Sequence, residues 1–422
     1  MLPLAPLLRM PAEWWNAPTC KGPLNATVTL PGSKSETARA LVLRARAGGN
    51  IPILGALKSR DTELARRALI PGTSSVDCGL AGTVMRFVPA LAAFNTATTR
   101  FDGDPHARKR PIAPLLDALE RLGAKVRYMG VPGFLPFEIT GHGGPYPAEV
   151  ELDSSQSSQY LSALLLASPA PLRIHLTGRV PSVPHIRMTA HMLQSQGVDV
   201  QQLDERTWFT SGALTHPSPI RIDPDLSNAG PFLAAALVCG GNVTVANWPE
   251  STYQAGDAWR WILPMFGAEV SFTDVGLRVT HSGGRWPGID IDLGDVGELA
   301  PTVAALAVLG ESESRLRGIG HLRGHETDRL AALATEISRC GGTCRVVEDG
   351  LVISPGRLHP ADFIAYDDHR MATFGAILGL ALPGSRINNI ETTAKTLPDF
   401  VARWDAMLRG GRSPKIAELS VE

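Results

Sequence analysis

The sequence predicts an α/β fold built from six repeated units, with helices buried at the centre and sheets outside. Three observations carry that expectation: a recurring apolar helix rich in small residues, a recurring helix-ending glycine, and alternating segments between them. The helix, opened by a short polar stretch, appears as SETARALVLRARAGG from Ser35, GTVMRFVPALAAF from Gly82 and SSQYLSALLLA from Ser157. It returns as SNAGPFLAAALVCGG from Ser227, ELAPTVAALAVLG from Glu298 and DDHRMATFGAILGLAL from Asp367. Successive starts lie 69 to 75 residues apart, except for a first interval of 47.

Stretches such as FLAAALV and TVAALAVL are apolar all round, so these helices are expected to be buried rather than amphipathic. Other helices end at Leu122-Gly123, Gln196-Gly197, Phe266-Gly267 and Cys340-Gly341, where glycine supplies the left-handed cap that stops a helix. Glu149 to Leu152 and Ile220 to Asp223 alternate polar with apolar residues and predict strands. Each unit is then strand, helix, strand, helix, strand, strand. The first is short, since only Leu64 to Asp77 separates RDTE from CGL. Either part of that unit is deleted or the sequence skips a stretch near Ile70 and Pro71, and backbone continuity there separates the two.

A length of 422 residues with 44% hydrophobic content suits two or three domains. Forty basic residues against 41 acidic ones leave no excess for a polyphosphate backbone, so nucleic acid is not expected as a partner. No apolar run approaches 18 residues, which removes a transmembrane helix. The opening MLPLAPLLRMPAEWW lacks a basic start and a small-residue cleavage site, so a secretory signal is not expected and the cytoplasm is. Five scattered cysteines (Cys20, Cys78, Cys239, Cys340 and Cys344) suit free thiols in a reducing compartment.

If the buried helices share a centre, the polar residues at their starts gather where the N-termini converge, which makes an anion site. Basic residues sit at those starts, against the dipole. Lys34 lies in PGSKS with Arg39 one turn on, and Arg86, Arg329 and Arg370 occupy similar positions. Arg108, Lys109 and Arg110 precede Pro111, and Lys395 precedes another helix. One such residue is usually a surface charge; a cluster at helix starts points to small, multiply anionic ligands carrying phosphate and carboxylate. The full GxxxxGK[ST] spacing of a nucleotide loop is absent. Glu298 and Glu326 also stand at helix starts, either complementing the dipole or, facing the anion site, serving as general base and acid. His321, His325, Cys340 and Cys344 superficially offer zinc ligands, but the helix between the pairs holds them about 20 Å apart at about 1.5 Å per residue, and no metal is expected.

The pieces LPGSKSETARAL, LAGTVMRF, RKRPIAPLLDALERLGA, SSQYLSALLLA, GHETDRLAAL, DDHRMA and AKTLPDF, in that order, resemble the 5-enolpyruvylshikimate-3-phosphate synthase (3-phosphoshikimate 1-carboxyvinyltransferase) family. CGLAGT, VGELAPTVAAL and LRGHETDRLAAL look most like its actinobacterial branch. The resemblance implies a two-domain inside-out α/β barrel, three βαβαββ units per domain, with residues 1–32 and 223–422 in one domain and 33–222 in the other. It implies transfer of the enolpyruvyl group of phosphoenolpyruvate to the 5-hydroxyl of shikimate 3-phosphate, releasing phosphate through a tetrahedral intermediate. No metal or organic cofactor is implied, and a monomer is expected. Carried over by motif, Lys34, Arg110, Arg329, Arg370 and Lys395 would bind phosphoenolpyruvate, with Gly82, Thr83 and Gln159 nearby. Lys34, Ser35, Arg39, Ser157, Ser158, Gln159, Ser182, Glu298 and His325 would bind shikimate 3-phosphate. Glu298 would take the 5-hydroxyl proton, Glu326 would manage the proton at the methylene carbon, and Lys34 would offset charge.

The chain departs from the family's usual pattern at several positions. Glu298 stands where Asp is frequent, His325 where Lys is, and His185 where a substrate-stacking Tyr is. The substitution at His325 makes any proton-relay role there more sensitive to pH. Leu80, Phe87 and Ala38 replace an Asn, a Pro and an Asn. The nearest alternative is UDP-N-acetylglucosamine enolpyruvyl transferase, whose reactive Cys has no counterpart in the loop Gly103 to Arg110. A non-catalytic repeat protein sensing anionic metabolites would keep the basic cluster but has no need of Glu298 and Glu326 together.

Overall fold

A computed structural model describes residues 13–411 and 413–421. Residues 1–12, most of the segment behind the secretory-signal expectation, lie outside the described residues. In chain order the α-helices are α1 (Lys34–Arg46), α2 (Arg60–Ala68), α3 (Gly82–Ala93), α4 (Ala113–Arg121), α5 (Ser158–Ala167) and α6 (Val183–Gln194). They continue as α7 (Ala229–Cys239), α8 (Trp259–Met265), α9 (Ala300–Leu309), α10 (Arg329–Arg339), α11 (His369–Ala381) and α12 (Phe400–Leu408). The odd-numbered helices are the six read from the repeat. In α9 every residue from Ala300 to Val308 is buried, as the absence of a polar face requires. α1, α3 and α5 pack on one another, and so do α7, α9 and α11. Small residues allow that approach: a Cβ on Gly230 of α7 would run into the Trp259 ring. Gly123, Gly197, Gly267 and Gly341 all have positive φ, as the capping pattern predicts.

The helices split between two apolar cores. One gathers side chains from residues 17–30 and 226–407, the other from residues 38–222. Each core carries two four-stranded sheets of one design, in which a parallel pair is followed by two antiparallel strands. Thus Ser75–Asp77 runs parallel to Thr98–Asp102, which pairs with Phe137–Thr140 and then Lys125–Tyr128. Among the described residues four units are complete and two are abbreviated: the first, as expected from its short interval, and also the last. The first has only the parallel pair Ile220–Arg221 and Ile53–Leu54. The last has Asp362–Phe363 parallel to Arg386–Asn388, flanked by Trp14–Asn16. The short first interval follows, because α2 leads through a turn at Ile70–Thr73 straight to Ser75–Asp77 with no intervening hairpin.

Before its tail, the chain changes core twice. Strand Leu24–Val28 leads to α1 in the other core, and Ile220–Arg221 leads back to α7. The two crossings run side by side: Ser33 N–H donates to Asp223 O at 2.8 Å and Asp225 N–H to Pro31 O at 2.9 Å. The tail bridges the cores as well. Thr29 N–H donates to Ser413 Oγ and Leu419 N–H to Ala56 O, and Leu419 packs in the core of residues 38–222 rather than with 223–411.

Two cysteines depart from the free-thiol expectation. Cys20 and Cys239 form a disulfide, with Cα atoms 5.4 Å apart, while Cys78, Cys340 and Cys344 are free. Their separation in sequence hid the adjacency: Leu24 N–H bonds Gly240 O, which lays the strand's approach along the end of α7.

At the crossings Glu36 is buried, and its carboxylate accepts from Asp223 N–H at 2.9 Å. Burial, aided by the Asp223 and Asp225 carboxylates, raises its pKa to about 8. The folded chain therefore keeps this proton up to about pH 8, whereas the unfolded chain releases it near the ordinary carboxylate value of 4.5. Stability then falls as pH rises across that window, by an amount on the order of a few kcal/mol. Glu36→Gln is expected to flatten the fall in melting temperature between pH 5 and pH 8; parallel curves for variant and wild type would refute the assignment.

Candidate active site

The N-termini of all six inner helices open onto one cleft between the two cores. Lys34 and Ser35 line it from α1, Gly82 and Thr83 from α3, and Ser157, Ser158 and Gln159 from α5. Ser227 comes from the turn before α7, Glu298 from the turn before α9, and Arg370 from α11. Arg39, Arg110, Ser182, His325, Glu326 and Arg329 complete the set expected from sequence. Lys395 stands behind the wall, its Nζ 2.9 Å from Glu326 Oε1. Every residue that the resemblance assigns to the site is thus brought to it, whereas Arg108 and Lys109 of the basic cluster are exposed away from it, Arg108 on Asp102. Two placements differ in detail: Glu326 precedes α10 and its Asp328 N-cap, and Lys395 ends a 3₁₀ turn, Ile390–Lys395.

On the side of α1, α3 and α5 the cations are held by protein oxygens. Lys34 Nζ lies 3.4 Å from Asp61 Oδ2, and its backbone N–H donates to Asp225 Oδ2 across the crossing. Arg39 is almost fully buried and donates to Thr189 Oγ1, Ser35 O and His185 O, tying α1 to α6; burial lowers its pKa to about 10. Arg86 donates to Gly82 O and Gln159 Oε1, and Arg110 to Leu80 O. Nε of both Arg86 and Arg110 is buried without a hydrogen-bond partner. Leaving such a donor unpaired costs about 1–3 kcal/mol, which an anion reaching it would recover.

On the opposite side Arg329 is the hub. Its Nε is 2.7 Å from Asp368 Oδ2, and its Nη2 is 3.2 Å from Asp368 Oδ1 and 3.0 Å from Glu326 Oε2. Against burial, Asp368 and Glu326 hold its charge firmly. Its Nη1 faces His325 Nδ1 at 3.2 Å. A guanidinium only donates, so Nδ1 is the acceptor. Burial, reinforced by Arg329, keeps His325 well below the usual histidine range, hence neutral, with its remaining N–H on Nε2. Glu326 is ionised despite burial, because Lys395, Arg329 and Arg110 surround it. Glu298 is ionised as well. Burial opposes this, but His185, Arg370 and the Ser227 hydroxyl outweigh it.

Sequence reasoning missed the buried acids that hold these cations. Asp61 and Asp368 pair with the cationic groups of Lys34 and Arg329, and Asp225 fixes Lys34 through its backbone N–H. The signal was available for two of them: Asp225 and Asp368 are N-caps of helical segments whose first residues include the cations or face them. Among the described residues, no group of three or more His, Cys, Asp and Glu converges as a metal site, and no helix is long and apolar enough to cross a membrane.

The chain that builds this cleft is similar to known proteins. A model of the EPSP synthase (3-phosphoshikimate 1-carboxyvinyltransferase) family matches residues 64–404. A 3-phosphoshikimate 1-carboxyvinyltransferase of Kocuria rhizophila is 48% identical, covering 93% of this chain and 96% of that protein. In fold, the chain is similar to an EPSP synthase from Acinetobacter baumannii, with TM-score 0.76 and 21% identity over 93% of this chain and 98% of that one. It is also similar to the enolpyruvyl transferase NikO from Streptomyces tendae, with TM-score 0.72 and 17% identity over 94% and 98% of the two chains. With the family match extending from α2 to α12 and nearly half of all positions shared with a full-length relative, the chain belongs to the EPSP synthase family.

Proposed function

We propose that this cleft transfers the enolpyruvyl group of phosphoenolpyruvate to the 5-hydroxyl of shikimate 3-phosphate, releasing phosphate, in the shikimate pathway to chorismate and aromatic amino acids. The observation that carries the mechanism is the pair of glutamates, Glu298 and Glu326, held among cations in one shared cleft. Glu298, anionic, takes the proton of the 5-hydroxyl as the oxygen attacks the enol carbon. Glu326, protonated from solvent once the substrate draws its cations away, supplies the proton that turns the methylene into a methyl group in the tetrahedral intermediate; it removes that proton again as phosphate leaves with the one held by Glu298. Lys34, Arg110, Arg329, Arg370 and Lys395 hold the phosphate and carboxylate of phosphoenolpyruvate, with Gln159 and the Gly82–Thr83 backbone beside them. Lys34, Ser35, Arg39, Ser157, Ser158, Gln159, Ser182, Glu298 and His325 form the acceptor side. No metal or organic cofactor takes part in this reading, which places a monomer in the cytoplasm.

The cations that keep Glu326 ionised, Lys395, Arg329 and Arg110, are those assigned to phosphoenolpyruvate. As they turn to the anionic substrate, Glu326 loses its compensation and its pKa rises toward that of a usable acid. Closure of the two domains excludes water and strengthens each of these interactions. Phosphate release from phosphoenolpyruvate, measured separately with shikimate 3-phosphate and with UDP-N-acetylglucosamine as acceptor, tests the reading. Release is expected only with the former; release only with the UDP-sugar, or with neither, would remove it.

A further inference from the structure

We propose that His185 is a positioning residue for the base, reaching across the cleft from the opposite domain to hold the Glu298 carboxylate in its working orientation. The proposal rests on the enolpyruvyl-transfer reading above.

Glu298 stands on the turn Gly297–Leu299 and receives two partners from its own core. Ser227 Oγ donates to Oε1 at 2.7 Å, and Arg370 Nη2 lies 3.6 Å from Oε2. From the other domain a third group approaches the oxygen that Ser227 holds. There His185 Nε2 lies 3.6 Å from Oε1, and both side chains are largely buried, at 19% and 23% exposure. His185 belongs to α6, whose apolar face packs in the core of residues 38–222.

This approach is part of a seam between the domains. Ser182 N–H points to Gly294 O and Val183 N–H to Asp295 Oδ1, both at 3.4 Å. Ser182 is in the left-handed region, with φ of 56°, and its side chain does not cap α6. The first N–H of α6 is served instead by the Asp295 carboxylate from the other domain. The stretch Gly294–Glu298 therefore docks on the start of α6 as one surface, with the base at its end. Here the Glu298 carboxylate and the His185 imidazole make an approach that spans the cleft.

The charged and titratable groups around this pair are Arg39 from α1, whose Nη2 donates to His185 O, Arg370 from α11, Arg329 from α10, Asp225 before α7, Asp295 on the docking stretch and His321 against Gly297. Burial would raise the Glu298 pKa; His185 is the foremost of the groups that lower it, ahead of Arg370 and Ser227. An uncharged, non-donating side chain at position 185 frees the carboxylate and moves its titration upward.

Steady-state kinetics of full-length His185→Phe and His185→Gln, with both substrates and across pH, test the proposal. His185→Phe is expected to lower kcat roughly 10- to 100-fold, a share of the 10²–10⁴ that a general base supplies. The KM for phosphoenolpyruvate is expected to stay within about twofold, and the acid limb of kcat/KM to move to higher pH. His185→Gln, which keeps an N–H donor at this position, is expected to recover most of kcat. A raised KM for shikimate 3-phosphate with unchanged kcat and acid limb in both variants would overturn the proposal, making His185 a substrate contact only. Failure of the underlying reading is distinct, because it would abolish phosphate release in the wild type.

Discussion

Glu326→Gln is expected to slow turnover by roughly 10³-fold, within the range lost when a general acid or base is removed, without weakening the binding of phosphoenolpyruvate. The second half of the expectation distinguishes chemistry from scaffolding. Glu326 occupies Lys395 with Oε1 at 2.9 Å and Arg329 with Oε2 at 3.0 Å. A glutamine keeps the shape and an acceptor oxygen but withdraws a negative charge from among cations assigned to an anionic substrate. Those cations then meet phosphoenolpyruvate without a competing carboxylate, so its affinity should hold or increase. Equilibrium binding of phosphoenolpyruvate, set beside kcat, checks this. Wild-type turnover would remove Glu326 from the mechanism. Loss of binding in proportion to kcat would make it a structural anchor for Arg329 and Lys395.

The inner helices and their convergence were legible because two local conflicts recur in the sequence. Runs such as TVAALAVL have no polar face to present to water, so they must be inside. Lys34, Arg86 and Arg370 oppose the dipole at their helix starts, which an anion site resolves. What the sequence concealed depends on pairing between distant segments. Strands Leu24–Val28 and Ile220–Arg221 each feed a helix in the other core, so two units of the repeat exchange strands, and one keeps only a two-stranded sheet. The Cys20–Cys239 bond lies at one of these exchanges, joining the approach to Leu24–Val28 with the end of α7. The partners of the site cations were hidden for a similar reason. Asp61 is a polar residue at the start of the amphipathic α2, and only the packing of α2 beside α1 turns it toward Lys34. His185 and Glu298 are each readable as a departure from a family pattern, but their contact requires both domains.

Asp368→Ala is expected to be the most destabilising single change in the site, by about 3 kcal/mol, the lower end of the cost of breaking a buried ion pair from one side. Asp368 has no exposed side-chain surface, and Arg329 is nearly as buried. The carboxylate accepts from Arg329 Nε and Nη2 and caps α11 through Arg370 N–H at 2.8 Å. Alanine deletes the pair and the cap together, and the cap alone is worth about 1 kcal/mol. The loss stops short of the full range because Glu326 remains on Arg329 Nη2. Asp368→Asn separates the two contributions, since the amide oxygen can still cap α11 but carries no charge to offset the guanidinium. Urea midpoints should therefore fall in the order wild type, Asn, Ala. Activity supplies an independent readout: Arg329 freed from Asp368 turns wholly to Glu326, and the KM for phosphoenolpyruvate should rise in both variants. An Ala variant with the wild-type midpoint would show that Arg329 finds its compensation elsewhere. A lowered midpoint with an unchanged KM would separate the Asp368–Arg329 pair from substrate binding and leave it a purely structural tie between α10 and α11.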